Sequence, residues 1–248
     1  MWRQAITALM LGLAVAGCSA APPAPPPQSL GTAIDRPVPR AILDLPLTTA
    51  SGARTSLGAY RGKIVVLGDF LSLCQEICPM TSANFTQMAR SASAGGNAGK
   101  VVFLEVTVDP QRDTAARLAA YRKLFDAPSE WVLATGTPAD LAQLWKFFGV
   151  FYQRTDEDSP SATDWLTGQP LTYDVAHQDA VVFLDAAGHE RFLILGNPDT
   201  HGAPLPTTLQ RFLSDQGRTN LADPGQLAWT PTNGQQVVTW LAQEQIGR

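Results

Sequence analysis

Apolar residues follow two rhythms along this chain. Lys63–Phe70 (KIVVLGDF) and Val101–Val108 are nearly continuous apolar runs of strand length, the pattern of strands buried on both faces. Elsewhere the spacing becomes helical. Met80, Phe85, Met88 and Ala92 share one face after Pro79, and Leu118, Tyr121, Leu124 and Phe125 share another within Thr114–Phe125. Gly95-Gly96 closes the first of these helices. Glu130–Ala134 reads as a short strand, and Pro138–Phe148 as a helix with its proline in the first turn. Val181–Asp185 and Arg191–Leu195 flank a turn as a hairpin, and Asn233-Gly234 precedes a closing helix over 235–245. Near the front, Leu43–Leu47 and Arg54–Leu57 bracket Ser51-Gly52 as another short hairpin.

This order predicts a mixed α/β domain, a thioredoxin-like fold with an added N-terminal β-hairpin and two loop insertions, 155–169 and 197–232. Trp145, Phe147, Phe148 and Tyr152 are expected in its core. The 248 residues suit one such domain with tails, large enough to bury a substantial core without a disulfide scaffold. Basic and acidic residues, 18 against 22, leave no positive excess to neutralise phosphates, which excludes nucleic acid as a leading partner.

Three cysteines remain to be explained. In MWRQAITALMLGLAVAGC, Arg3 precedes an apolar stretch from Ala5 to Ala16 that is too short to span a bilayer, as in a secretory signal. Val15-Ala16-Gly17-Cys18 resembles the bacterial lipobox, which implies that Cys18 becomes a lipid-bearing N-terminus. The expected organisation is a signal peptide over 1–17, a lipid-anchored, proline-rich spacer over 18–40 and a globular head over 41–248. That arrangement places the head outside the cytoplasm, tethered to a bacterial membrane. Residues 21–40 hold seven of the 19 prolines and read as a polyproline-II-like spacer.

Cys74-Gln-Glu-Ile-Cys78-Pro79 lies between the first buried strand and the first long helix. Pro79 suits the first helical position, which makes Cys78 the expected N-cap, and a helix N-terminus favours thiolates. A passive disulfide is the plain alternative, but so small a loop would constrain the unfolded chain little. Two thiolates are soft ligands for Cu(I), Zn(II) or an iron–sulfur cluster, and only His177, His189 and His201 can add a nitrogen. Two cysteines and one histidine make a natural three-coordinate Cu(I) site. His177 immediately precedes the Val181 hairpin, where a thioredoxin-like topology brings it to the cysteine turn; a surface or capping role stays open at this point. His189 reads as a solvated turn residue, and His201 falls in the second insertion. Asp109 and Asp113 follow the second strand as either an acidic pair behind the site or simple caps of a turn and a helix, the caps being favoured.

Taken together, Gly62-Lys-Ile-Val-Val-Leu67, Cys74-x-x-x-Cys78-Pro79, Val108-Asp-Pro-Gln-Arg-Asp-Thr114 and His177 ahead of Val-Val-Phe-Leu-Asp-x-x-Gly188 resemble the Sco/SenC family of copper-binding thioredoxin-fold proteins. The resemblance implies that Cys74, Cys78 and His177 bind copper, as Cu(I) or Cu(II). It also implies delivery of copper to, or reduction of the cysteines of, a respiratory oxidase copper centre. The partner would be the copper-accepting oxidase subunit or another copper chaperone. The lead into the first cysteine, Asp69-Phe-Leu-Ser-Leu73, departs from the family's aromatic and threonine-rich one. A thiol–disulfide oxidoreductase using the same pair, with Cys74 attacking, is the rival expectation.

Overall fold

The computed structural model describes residues 23–157 and 162–246. The expected signal segment, Cys18 and residues 158–161 of the first insertion lie outside them. The chain begins with β1 (Thr32–Pro37), α1 (Arg40–Leu43), β2 (Leu47–Thr49), β3 (Arg54–Thr55) and a single 3-10 turn, Leu57–Tyr60. It continues through β4 (Ile64–Phe70), α2 (Cys78–Ala94), β5 (Val101–Thr107), α3 (Ala115–Leu124), β6 (Trp131–Gly136) and α4 (Pro138–Phe148). Then come β7 (Tyr152–Thr155), β8 (Asp174–His177), β9 (Ala180–Leu184), β10 (His189–Leu195), α5 (Thr207–Phe212), α6 (Asp215–Ala222) and α7 (Pro231–Ile246).

Eight strands form one sheet in the order β1-β10-β9-β4-β5-β6-β2-β3, and β7 and β8 pair separately. β4, β5 and β6 run parallel at its centre, with antiparallel neighbours on both sides. Every residue of β4 and β5 is buried, as continuous apolar runs require. Phe85 of α2 lies against Phe103 of β5 and Trp229 in edge-on geometry. It comes so close to β4 that a Cβ on Gly68 would sit 2.8 Å from its ring. Glycine at position 68 is what lets α2 approach the sheet.

Where structure and expectation differ, local chemistry explains the shift. The front hairpin exists, but its strands are β2 and β3. Residues 40–43 instead coil behind Pro39, and Ser56 Oγ accepts from the Ala59 N–H to cap the 3-10 turn. Part of the expected spacer is not one. Thr32–Arg36 contains no proline, and β1 adds to the sheet edge beside β10, with Arg36 Nε donating to the buried Glu190 carboxylate at 2.7 Å. Its Pro37 stands at the end of an edge strand, where a missing N–H costs nothing. The second insertion is likewise not irregular throughout, since it holds α5 and α6. Its prolines flank those helices: Pro206 is the N-cap of α5, and Pro224 follows the end of α6. Leu209, Phe212 and Leu213 anchor the segment in the interior. Trp145 and Phe148 are buried as expected, while Phe147 and Tyr152 pack at the core's margin. Among the described residues no helix is long and apolar enough to cross a membrane.

Candidate metal centre

The carboxyl ends of β4 and β5 open onto the cysteine loop, the place where α/β sheets set their sites. The loop is pinned before it reaches the first thiol. Leu71 and Leu73 are buried, and between them Ser72 donates from its N–H (3.1 Å) and its hydroxyl to the Asp113 carboxylate. Thr107 Oγ1 donates to the same carboxylate at 2.6 Å. Asp113 therefore ties the end of β5 to the cysteine loop and does not cap α3; Thr114 does, accepting from the Arg117 N–H. Asp109 pairs with Arg112 and accepts from the Tyr173 hydroxyl at 3.1 Å, while Arg112 lies over the Tyr173 ring and donates to its carbonyl. That pair fastens the root of β8, which carries His177. Neither aspartate acts as the cap expected of it.

The cap of α2 is also shifted by one residue. Ile77, with φ −127° and ψ −45°, is the N-cap, so Cys78 is the first helical residue and Pro79 the second. A proline fits there because the first turn's N–H groups have no partners inside the helix. Two of those N–H groups, of Ile77 and Cys78, point at Cys74 Sγ from 3.5 Å. The thiols consequently differ. Cys74 is half-buried, and the Cys78 thiol, then His177 and last the Ile77 N–H, hold its pKa well below the ordinary value against the opposing effect of burial. Cys78 is fully buried, and burial pushes its pKa well up. Of the two, only Cys74 is favoured as a thiolate, and it owes this chiefly to the Cys78 thiol and His177, with the helix N-terminus adding least.

His177 ends β8 and reaches the pair across 99 residues of sequence, its Nε2 lying 3.3 Å from Cys78 Sγ. Its Nδ1 stands 2.7 Å from Asp69 Oδ2, and Asp69 Oδ1 accepts from the Ala180 N–H at 3.0 Å. Nδ1 bonds to Asp69, so Nε2 is the ring nitrogen that faces the sulfurs and becomes a ligand once it has shed its own proton. Burial opposes protonation of this imidazole, but the bond to Asp69 and the Cys74 sulfur outweigh it and raise its pKa well above normal. The ligand atoms of Cys74, Cys78 and His177 lie within 4.8 Å of one another. His189 begins β10, partly exposed near Asp35, and His201 sits exposed in a turn at φ 44°, so neither joins the site.

Two thiols and an imidazole converging on one point fit a soft, low-coordinate metal ion, with no fourth protein donor closing the set among the described residues. Sequence reasoning missed Asp69, although an aspartate inside the apolar run IVVLGDF is the kind of buried charge that demands a partner. It also missed Trp165 and Ser214. Trp165 Nε1 donates to the Ser72 carbonyl at 2.7 Å, and Ser214 lines the cleft of about 260 Å3 that holds Cys74 and His177.

Comparison with known proteins agrees with this geometry. Residues 40–203 match the family model SCO1/SenC. The bovine mitochondrial SCO2 homolog is 32% identical over 107 residues, which cover 42% of this chain and 40% of that protein. The human mitochondrial SCO1 homolog is 27% identical over 120 residues, covering 48% and 39%. The matched stretches thus span about two fifths of either relative's length. Among solved structures, apo Sco1 from Thermus thermophilus superposes with a TM-score of 0.52 at 23% identity, covering 67% of this chain and 86% of that one. ScoI from Bradyrhizobium japonicum, solved with copper bound, gives 0.51 at 21% identity, covering 68% and 97%. These likenesses establish a thioredoxin-like Sco fold, and with the family model spanning most of its length, the chain belongs to the SCO1/SenC family.

Proposed function

We propose that this protein is a membrane-anchored, extracytoplasmic copper chaperone that binds copper through Cys74, Cys78 and His177 and assists assembly of a respiratory cytochrome oxidase copper centre. The observation that carries the reading is the convergence of those three donors within 4.8 Å, with His177 turned toward the sulfurs by Asp69. Copper bound in the Bradyrhizobium relative supports the choice of metal. Here copper is cargo. Cys74, half-exposed and thiolate-favouring, takes the ion first; Cys78 and then His177 Nε2 give up their protons as the metal replaces them and completes the set. Release begins where entry does, a partner's thiolate displacing Cys74 at the cleft before Cys78 and His177 let the ion go. Cys18 carries the lipid, and the partner is an oxidase subunit or another copper chaperone.

Copper titration of the reduced full chain tests the site. The expected result is one ion per chain, lost or strongly weakened in Cys74→Ser, Cys78→Ser and His177→Ala. Unchanged affinity and an unchanged thiolate-to-copper absorption band in His177→Ala would overturn the three-ligand assignment. Cys18→Ala should release the chain from the membrane fraction.

The asymmetry of the thiols favours one second reading, a thiol–disulfide oxidoreductase in which Cys74 attacks and buried Cys78 resolves. Rapid exchange with a small disulfide, with no copper uptake by the reduced protein, would select it over the chaperone.

A further inference from the structure

Between the two thiols the loop is held from outside the matched residues 40–203. Two groups at the start of α6 meet the carbonyl of Gln75, the residue after Cys74. The Ser214 N–H donates to it at 3.0 Å, and the Ser214 hydroxyl lies 3.5 Å away while also accepting from the Gly217 N–H to cap α6. Gly217 is buried against the same carbonyl. A Cβ at that position would stand 2.0 Å from Gln75 O and 3.1 Å from Glu76 Cα. Gly217 has an ordinary helical backbone, where alanine is the better helix former, so its glycine serves the contact and not the helix. Leu209, Phe212 and Leu213 root this segment in the interior, which makes it a fixed wall. The other end of the loop is fixed separately, at Ser72, by Asp113 and Trp165.

We propose that the start of α6 is a clamp on the copper loop, in which Ser214 and Gly217 are positioning residues that fix Gln75 and so set Cys74 toward Cys78 and His177. The inference rests on the copper-site reading above and adds a determinant that the ligand set does not contain. Holding the loop in its ligand-presenting form removes the cost of ordering it when metal binds. The same wall closes one side of the cleft lined by Cys74, Ile77, Asp174, His177, Asp179 and Ser214. Cys74 is then approached from the β8 side.

Three variants of the full chain separate the clamp from general stability. Ser214→Ala loses the cap hydroxyl but keeps the N–H on Gln75. Ser214→Pro loses both and puts its ring where the Gln75 oxygen sits, while Ser214 at φ −65° and Leu213 at ψ 136° already have proline-compatible backbone. Gly217→Ala drives a methyl into the same oxygen. Each is read by Cu(I) competition against a chromophoric chelator, by the position of the copper–thiolate band, and by the rate of Cys74 alkylation with iodoacetamide in the metal-free reduced protein. Ser214→Pro and Gly217→Ala should weaken Cu(I) binding by about tenfold or more, the usual scale for groups that orient ligands, while Ser214→Ala stays near wild type. Both should also shift the band and speed alkylation several-fold. If the two behave as Ser214→Ala in all three readouts while their circular dichroism is native, the clamp is refuted. Should wild type itself take up no copper, the site reading fails, and the clamp stands or falls on the alkylation rates alone. A Gly217→Ala chain that does not fold leaves the comparison of Ser214→Pro with Ser214→Ala to decide.

Discussion

Asp69→Asn is the sharpest test of how His177 is held. The aspartate is fully buried and spends its two oxygens on different donors, His177 Nδ1–H at 2.7 Å and the Ala180 N–H at 3.0 Å. Asparagine has nearly the same shape but only one acceptor oxygen, so its amide must face one of those donors with its own N–H groups. If the oxygen turns to Ala180, the amide N–H meets Nδ1, so the imidazole must give up its Nδ1 proton and keep the one on Nε2, the atom aimed at the sulfurs. If the oxygen turns to His177, the Ala180 N–H is left buried without a partner, at about 1–3 kcal/mol. Either arrangement weakens the site, by about 10–100-fold in affinity, or roughly 1.4–2.8 kcal/mol. The assay is Cu(I) competition at fixed pH with urea unfolding of the apo protein alongside. A variant that is less stable but binds copper as wild type does would show that Asp69 only braces the fold, and the orientation argument would fail.

Other substitutions probe the frame around the site. Glu105 is buried between Ser82 Oγ and Trp131 Nε1, both donating to it, and burial raises its pKa to about 8. The folded chain therefore holds a proton that the unfolded chain releases above its ordinary value near 4.5, so the stability this contributes, full below 4.5, drains away as pH rises from there to about 8 and falls no further above it. Glu105→Gln should flatten the fall of the unfolding free energy from urea titrations between pH 5 and 8 by up to about 1.4 kcal/mol per pH unit; an unchanged profile refutes a neutral Glu105. Gly68→Ala should cost about 1–3 kcal/mol by forcing Phe85 out of place, read by chemical denaturation, and a neutral result would mean that α2 shifts freely. Trp165→Phe keeps the ring but removes the bond to Ser72, so it should lower the melting temperature a few degrees, about 1 kcal/mol. It should also loosen copper binding, whereas equal affinity and stability would confine Trp165 to packing.

The parts of this molecule that were readable in advance are those whose signal is local. Residues 64–70 and 101–107 are buried on both faces and so carry unbroken apolar runs, and Pro138 and Gly149 mark where α4 starts and stops. The ligand pair announced itself through residue type and its place between a strand and a helix. Contacts made across long separations left little trace. β1 is short and mostly exposed, so nothing periodic separates it from a spacer; its pairing with β10 comes from 154 residues away, through Arg36 and Glu190. α5 and α6 are too short for a strong helical rhythm, and their flanking prolines looked like disruption when they are boundaries. Asp113 resembled a helix cap because it precedes α3, yet its carboxylate turns inward to Ser72, a choice that only the packed loop can impose.

The three restraints on the cysteine loop act at different points, and this explains why the two thiols can be so unlike while four residues apart. Asp113 and Trp165 fix Ser72, the α2 N-terminus fixes Cys78 inside the core, and α6 meets Gln75. With both ends and the middle held, Cys74 Sγ stays under the Ile77 and Cys78 N–H groups at the cleft wall, while Cys78 Sγ faces His177 from within. A free loop of this length would average the two environments. A held one keeps an outer thiol whose pKa is lowered beside an inner one whose pKa burial raises. If the proposed copper site is correct, this difference predicts that Cys74→Ser chiefly slows loading and transfer and that Cys78→Ser chiefly shortens the lifetime of the bound ion. Stopped-flow exchange with a Cu(I)-loaded chelator would show the two effects in separate rate constants, and equal changes in both would refute the division.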